Sequence, residues 1–430
     1  MSSKTLVKSV SLWSMAGFIH EQDLLIDDGR LARVGRGLAA PGAAVVDARG
    51  WVAIPGLVDL HCHLGEPGQE ERETLETGLL SAAWGGFTAV LAMPDVDPPL
   101  DSDTGIGYVL QKGASARGAR VFACAAATKG RKGKELAELA RLRAAGASAA
   151  GDAAPIQDAA IVRRLLEYAG MLDMPVLIEA RDESLAGGGV AHEGIEAGWL
   201  GLAGIPASAE WVALARDLLL AEEAGGRLHV QGVSTGRSVS LLREAKARGV
   251  RATAECSFHH LILDDAALAD YGTNKKLMPP LRPRRDVESL IEGVKEGVVD
   301  CIVTDHTPLT AEEKDVEFDY APFGAAGFEA ALPALYTHLV RPGLLSWSEL
   351  VSAVSLRPRA VLGLALPQFN EGERCDLVLF NPEVEQAVDP AGWKSKARNT
   401  PFAGERLFGR VEGVFIGGEV FGPLEAEVRA

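Results

Sequence analysis

The sequence predicts an α/β fold: an eight-stranded parallel (β/α)8 barrel of the TIM type, carried on a small β domain built from both chain ends. Three observations carry this. Eight short apolar runs alternate with helical stretches, the two ends show β patterning with glycine turns, and 430 residues hold one large core with one companion domain.

The apolar runs are residues 56–64, 87–93, 120–126, 147–152, 175–180, 227–234, 251–257 and 300–305. Between them, apolar residues at spacings of three and four predict helices over 71–84, 156–170, 209–224, 238–248 and 287–296. That alternation belongs to a parallel sheet covered by helices, and eight units close a barrel. A doubly wound dinucleotide-binding sheet is the rival architecture, but its GxGxxG turn is missing after the first strand, where His61-Cys-His-Leu-Gly-Glu-Pro-Gly stands. Residues 5–36, 375–380 and 413–421 alternate as strands do, with turns at Asp28-Gly29 and Gly417-Gly418. The expected division is therefore residues 1–54 and 367–430, together one β-sandwich, around a barrel of residues 55–366.

Composition bounds the function. Lys and Arg total 43 against 59 Asp and Glu, and the resulting charge of −16 repels nucleic acid and anionic lipid, so neither nucleic acid nor membrane is an expected partner. Residues 1–14 lack the apolar run of a secretory leader, and no stretch reads as a membrane span. Five cysteines, Cys62, Cys124, Cys256, Cys301 and Cys375, are odd in number, lie far apart and form no CxxC, which argues against a disulfide framework and a thiolate zinc site. They read as small buried hydrophobes in a protein of the reducing cytoplasm.

In parallel barrels chemistry sits at the C-terminal ends of the strands. His61 and His63 lie two apart on the first strand, so the period of two points both imidazoles to one face. Asp305 ends the eighth strand, the first strand's neighbour, and Asp152 ends the fourth on the opposite side. Two imidazoles and two carboxylates around one divalent ion suit zinc in charge and softness. An HxH pair alone is a weak signal and more often describes two hydrogen-bonded barrel histidines.

The context of that pair carries more. Val58-Asp-Leu-His-Cys-His-Leu followed by Gly65-Glu-Pro-Gly resembles the opening of the barrel in the amidohydrolase superfamily, and in dihydroorotase in particular. Further matches run in order along the chain: Gly85-Gly-Phe-Thr, Met93-Pro, Thr253-Ala-Glu, His259-His-Leu, Asn274 with Pro279-Pro-Leu-Arg, Val303-Thr-Asp-His and Ala321-Pro-Phe-Gly. The resemblance is to the bacterial dihydroorotases that work beside aspartate transcarbamoylase. Hydantoinases place a carbamylated lysine near the end of strand four, where this chain reads Ala149-Ala-Gly-Asp-Ala-Ala-Pro.

The resemblance implies a two-metal site in which His61, His63 and Asp305 hold the first ion, Asp152 bridges, and Asp305 acts as general base toward a ring amide. It places the second ion's histidines at the ends of strands five and six, and these positions are Glu179, still a candidate ligand, and Gly232. At most one zinc per chain is therefore expected. The family's substrate contacts, an arginine, two asparagines and a histidine, fall on Gly65, Asp95, Met278 and Leu309. Dihydroorotate is an anion, so an arginine replaced by glycine and an asparagine by a carboxylate both oppose it, a like charge at about 4 Å costing roughly 4 kcal/mol at an effective dielectric near 20.

Three readings follow. The first is a non-catalytic dihydroorotase homologue, homodimeric and assembled with aspartate transcarbamoylase, as the resemblance implies. The second is a one-zinc cyclic amidohydrolase acting on a different, neutral or cationic, amide. The third is a true dihydroorotase, which must accommodate six replacements in one pocket.

Overall fold

The computed structural model describes residues 4–429. The first three residues of the stretch read above for a leader, and the outermost ends of the terminal domain, lie outside them.

The eight expected runs form one parallel sheet of eight strands: β1 (Leu57–Cys62), β2 (Phe87–Ala92), β3 (Arg120–Ala125), β4 (Ala149–Gly151), β5 (Val176–Glu179), β6 (Leu228–Gln231), β7 (Ala252–Ser257) and β8 (Cys301–Val303). Neighbours in sequence are neighbours in space. A parallel bridge from Cys62 to His306 and the bond from His63 N to His306 O (2.8 Å) bring the first strand against the end of the eighth, so the sheet closes as a (β/α)8 barrel. Asp59 on β1 reinforces this seam by accepting from the Thr304 amide (3.1 Å) and its hydroxyl.

The five expected helices are present as Leu75–Trp84, Ala159–Met171, Ser208–Ala224, Gly236–Ala247 and Arg284–Glu296. Their starts follow local chemistry: Thr74, Asp158 and Thr235 each cap an N-terminus through the side chain. Each then buries an apolar stripe against the strands, as Val287, Leu290, Ile291 and Val294 do. Inside the barrel, Leu91, Met93, Cys124, Ala149 and Leu177 make an apolar floor beneath the mouth.

Both chain ends contribute to a mixed eight-stranded sheet. Its strands Thr5–Ser14, Gly17–Asp27, Arg30–Gly35, Ala44–Asp47 and Val52–Pro55 come from the N-terminal side, and Leu377–Ala387, Arg406–Ile416 and Glu419–Phe421 from the C-terminal side. Val52–Pro55 pairs with Leu377–Ala387 and joins the two contributions. Asp28 and Gly29 take φ of 48° and 70°, the geometry a tight hairpin requires. Val7, Val10, Leu24, Leu31, Leu377 and Phe415 pack as this domain's core. All five cysteines are buried and unpaired. Among the described residues no helix is long and apolar enough to cross a membrane.

Candidate metal centre

Alternation along β1 sends Asp59, His61 and His63 to one face, and Asp305 leaves β8 beside them at φ 51°, a region sparsely used by residues other than glycine. His61 Nε2 lies 3.8 Å and His63 Nε2 3.9 Å from Asp305 Oδ1, and one ligand atom from each of the three lies within 4.8 Å of the others. These are three of the five residues named from sequence as candidate ligands, the others being Asp152 and Glu179.

The opposite ring nitrogens are held from behind. His61 Nδ1 is 2.6 Å from Glu255 Oε1, and His63 Nδ1 is 2.7 Å from Asp95 Oδ2. A carboxylate on Nδ1 fixes the tautomer that leaves Nε2 free to ligate, an arrangement common behind metal-bound imidazoles. Glu255 is itself locked, its second oxygen 2.9 Å from His229 Nε2, while His229 Nδ1 meets the Thr253 hydroxyl at 2.8 Å.

The local charges follow. Burial pushes the Asp305 carboxyl up to about 6, with His61 and His63 pulling the other way. Burial opposes an imidazolium at His61, yet Glu255 and Asp305 together raise it to about 10. Burial would also raise Glu255 and Asp95, but His61 beside one and His63 beside the other hold both near 2. The donor set, two oriented imidazoles and one carboxylate with space on the cavity side, fits a divalent ion such as zinc, whose binding would displace the His61 proton.

One expectation needs correction. Asp152 does not join the cluster: its carboxylate accepts from the Thr128 amide (3.0 Å) and hydroxyl (2.5 Å), so it is spent on closing the β3 loop. Asp95, the carboxylate that stands where the resemblance places an asparagine, is also the orienting partner of His63. Glu179 lines the cavity mouth without entering the three-residue cluster.

The cavity, of about 170 Å3, is also lined by Gln231, Gly232, His260, Met278 and Phe323. Gly232 sits at φ +63°, and a Cβ there would lie 3.1 Å from Pro279 Cδ, so a histidine at this position would be strained. Leu309 is buried, with its amide donating to Asn399 Oδ1 at 3.2 Å. Gly65 sits at φ +64°, where a Cβ would meet the carbonyl oxygens of Glu73 and Gln69 at 2.8 and 2.9 Å. His260 bonds to the Ser257 hydroxyl and Pro279 O, both at 2.8 Å.

Sequence reasoning missed Glu255 as a site residue. The signal was there: Thr253, Glu255 and Ser257 alternate with Ala254 and Cys256 on β7, and an interior glutamate with no other stated task points to a partner across the barrel.

Comparison with known proteins agrees with this architecture. The dihydro-orotase-like family profile matches residues 50–238. A dihydroorotase of Pelotomaculum thermopropionicum is 47% identical over 408 residues, covering 94% of this chain and 95% of the relative. One from Caldanaerobacter subterraneus subsp. tengcongensis is 43% identical over 407 residues, covering 94% of each. Among solved structures, an L-hydantoinase (dihydropyrimidinase) from Arthrobacter aurescens superposes with a TM-score of 0.87 at 24% identity over 98% of this chain and 96% of that one, a likeness of fold. Dihydropyrimidinase from Brevibacillus agri follows at 0.83 and 23%, over 97% and 94%. With its barrel, its histidine-aspartate cluster and relatives matched over nearly their whole length, the chain belongs to the dihydroorotase family of amidohydrolases.

Proposed function

We propose that this family member does not turn over dihydroorotate and serves as a structural subunit, homodimeric and in complex with aspartate transcarbamoylase. The observation that carries the reading is the mouth of the barrel. Among the described residues its lining contains no lysine or arginine, while Glu179 and Asp305 face into it. A carboxylate-bearing ring would enter a pocket that, apart from the histidines of the candidate metal centre, offers it carboxylates and no lysine or arginine, and Gly232 and Met278 stand where the resemblance places the family's histidine and asparagine. The relatives named dihydroorotase set the opposing expectation, which the assay below decides.

A second reading, a one-zinc hydrolase of a neutral or cationic cyclic amide, is favoured by a specific observation: Glu255 and Asp95 hold both imidazoles in ligating orientation. A divalent ion bound there would supply Lewis acidity toward an amide carbonyl. Asp305, within 4 Å of both ligating nitrogens, is the carboxylate that would take up a proton there.

Three measurements on the purified chain test these readings: zinc content, dihydroorotate turnover, and light scattering of the chain co-expressed with the same organism's aspartate transcarbamoylase. The expected result is at most one zinc, no turnover and co-elution. Turnover would make the chain a true dihydroorotase. Separate elution at micromolar concentration, with a transcarbamoylase fully active alone, would leave the one-zinc enzyme as the better account.

A further inference from the structure

The cavity holds one buried polar atom that the metal cluster does not use. Gln231, at the end of β6, is 2% exposed and lines the cavity, and its Oε1 has no hydrogen-bond partner among the described residues. Its Nε2 reaches Met93 Sδ at 3.4 Å. Because a thioether sulfur only accepts, the amide nitrogen belongs on the sulfur and the oxygen is the atom left over. Glu179 is its register partner on β5 and lines the same cavity. Arg181, outside the lining, approaches one Glu179 oxygen at 3.4 Å, so that carboxylate is anchored on one side.

We infer that Gln231 and Glu179 form an acceptor edge that recognises the N–H donors of an amino-substituted or amidine-like ring amide, seated between them and the His61–His63–Asp305 side. The inference rests on the cavity being a ligand site, as in the second reading above, and concerns recognition rather than turnover. An unsatisfied buried acceptor discriminates well: a ligand that supplies the donor completes it, and one that presents another acceptor leaves both groups unpaired.

The test is calorimetric binding to the zinc-loaded full chain of two rings alike in shape, hydantoin and 2-aminoimidazol-4-one, in which an amino group replaces the 2-oxo group. The amino ring should bind at least roughly tenfold more tightly, about 1.4 kcal/mol. The preference should vanish in Gln231→Leu and in the closer-shaped Gln231→Met, and persist in Gln231→Glu. Melting curves establish that each variant is folded. Equal affinity, a preference for hydantoin, no binding of either ring, or a preference surviving in folded Gln231→Leu or Gln231→Met would overturn the inference, as would a second zinc that depends on Glu179. Absence of any zinc from the wild type defeats the metal-centre reading instead, so the two failures are told apart.

Discussion

Glu255 and Asp95 set the orientation of the candidate ligands without reaching the ligand atoms themselves, and that makes them testable apart from any activity. Glu255→Gln and Asp95→Asn should each weaken zinc binding by roughly 10–100-fold in a chelator competition, with the fold intact. Unchanged affinity would reduce both carboxylates to packing. Gly65→Arg, the family residue restored, should cost about 1–3 kcal/mol of stability because its backbone is left-handed and its Cβ meets two carbonyl oxygens, and it should give no dihydroorotate turnover. Turnover, or a melting curve identical to wild type, would show the loop to be more yielding than its contacts suggest. Lys314 supplies a pH signature. It is buried with its ammonium on Thr273 O (2.9 Å) and Pro322 O (2.8 Å), and burial, with Lys276 adding to the effect, lowers it to about 7. Its folded pKa lies below the unfolded value of 10.5, so between pH 7 and that value the unfolded chain binds more protons. The cost of burying the charge is then relieved as pH rises. The stability of wild type relative to Lys314→Met should therefore climb from pH 7 to 9, by at most about 1.4 kcal/mol per unit; a flat or falling difference sinks the assignment. These roles were hard to read from the sequence because they depend on which side chains meet: His61 and Glu255 are 194 positions apart, and Asp95 differs from the family asparagine by one atom that here faces a histidine.

Strands and helices were far more legible than side-chain partners, since an apolar run of strand length between helical spacings survives in the sequence whatever the side chains touch. The limits of the runs were less so. The fourth strand is only Ala149–Gly151 and the sixth only Leu228–Gln231, because Asp152 and Gly232 turn away into loops. The second of those loops is fixed by a buried network that composition alone does not reveal. Glu210, near the start of helix Ser208–Ala224, accepts from the amides of Ser234 and Thr235, both at 3.0 Å, and pairs with Arg282 at 3.4 Å. Arg282 also donates to Ser234 Oγ (2.9 Å) and meets His192 Nδ1 at 3.0 Å. One ion pair thus ties the end of β6 to the Pro279-Pro-Leu-Arg segment that borders the cavity. Arg282→Met should cost about 3–5 kcal/mol in denaturant unfolding, since it leaves Glu210 buried without its cation. A loss below 1 kcal/mol would mean that the serine and threonine donors suffice alone.

At the scale of the whole molecule, the cluster exists only because the barrel closes. His61 and His63 leave the first strand and Asp305 the last, and the seam from Cys62 to His306 brings them together across more than half of the chain. The unfolded chain keeps the HxH pair but separates it from Asp305, so an ion that needs all three binds the folded state in preference and stabilises it by mass action. At a free zinc concentration a hundredfold above Kd the gain is about 2.7 kcal/mol. Spread over the unfolding entropy of 430 residues, that raises Tm by roughly 3 °C if the chain melts as one unit. The shift should saturate at one equivalent, disappear with chelator, and be absent from His61→Ala and Asp305→Ala. Asp152→Asn should retain it, because that carboxylate already serves Thr128. A shift that survives in His61→Ala would place the ion elsewhere, a second step at two equivalents would restore the two-metal arrangement the sequence argues against, and loss of the shift in Asp152→Asn would return that residue to the centre.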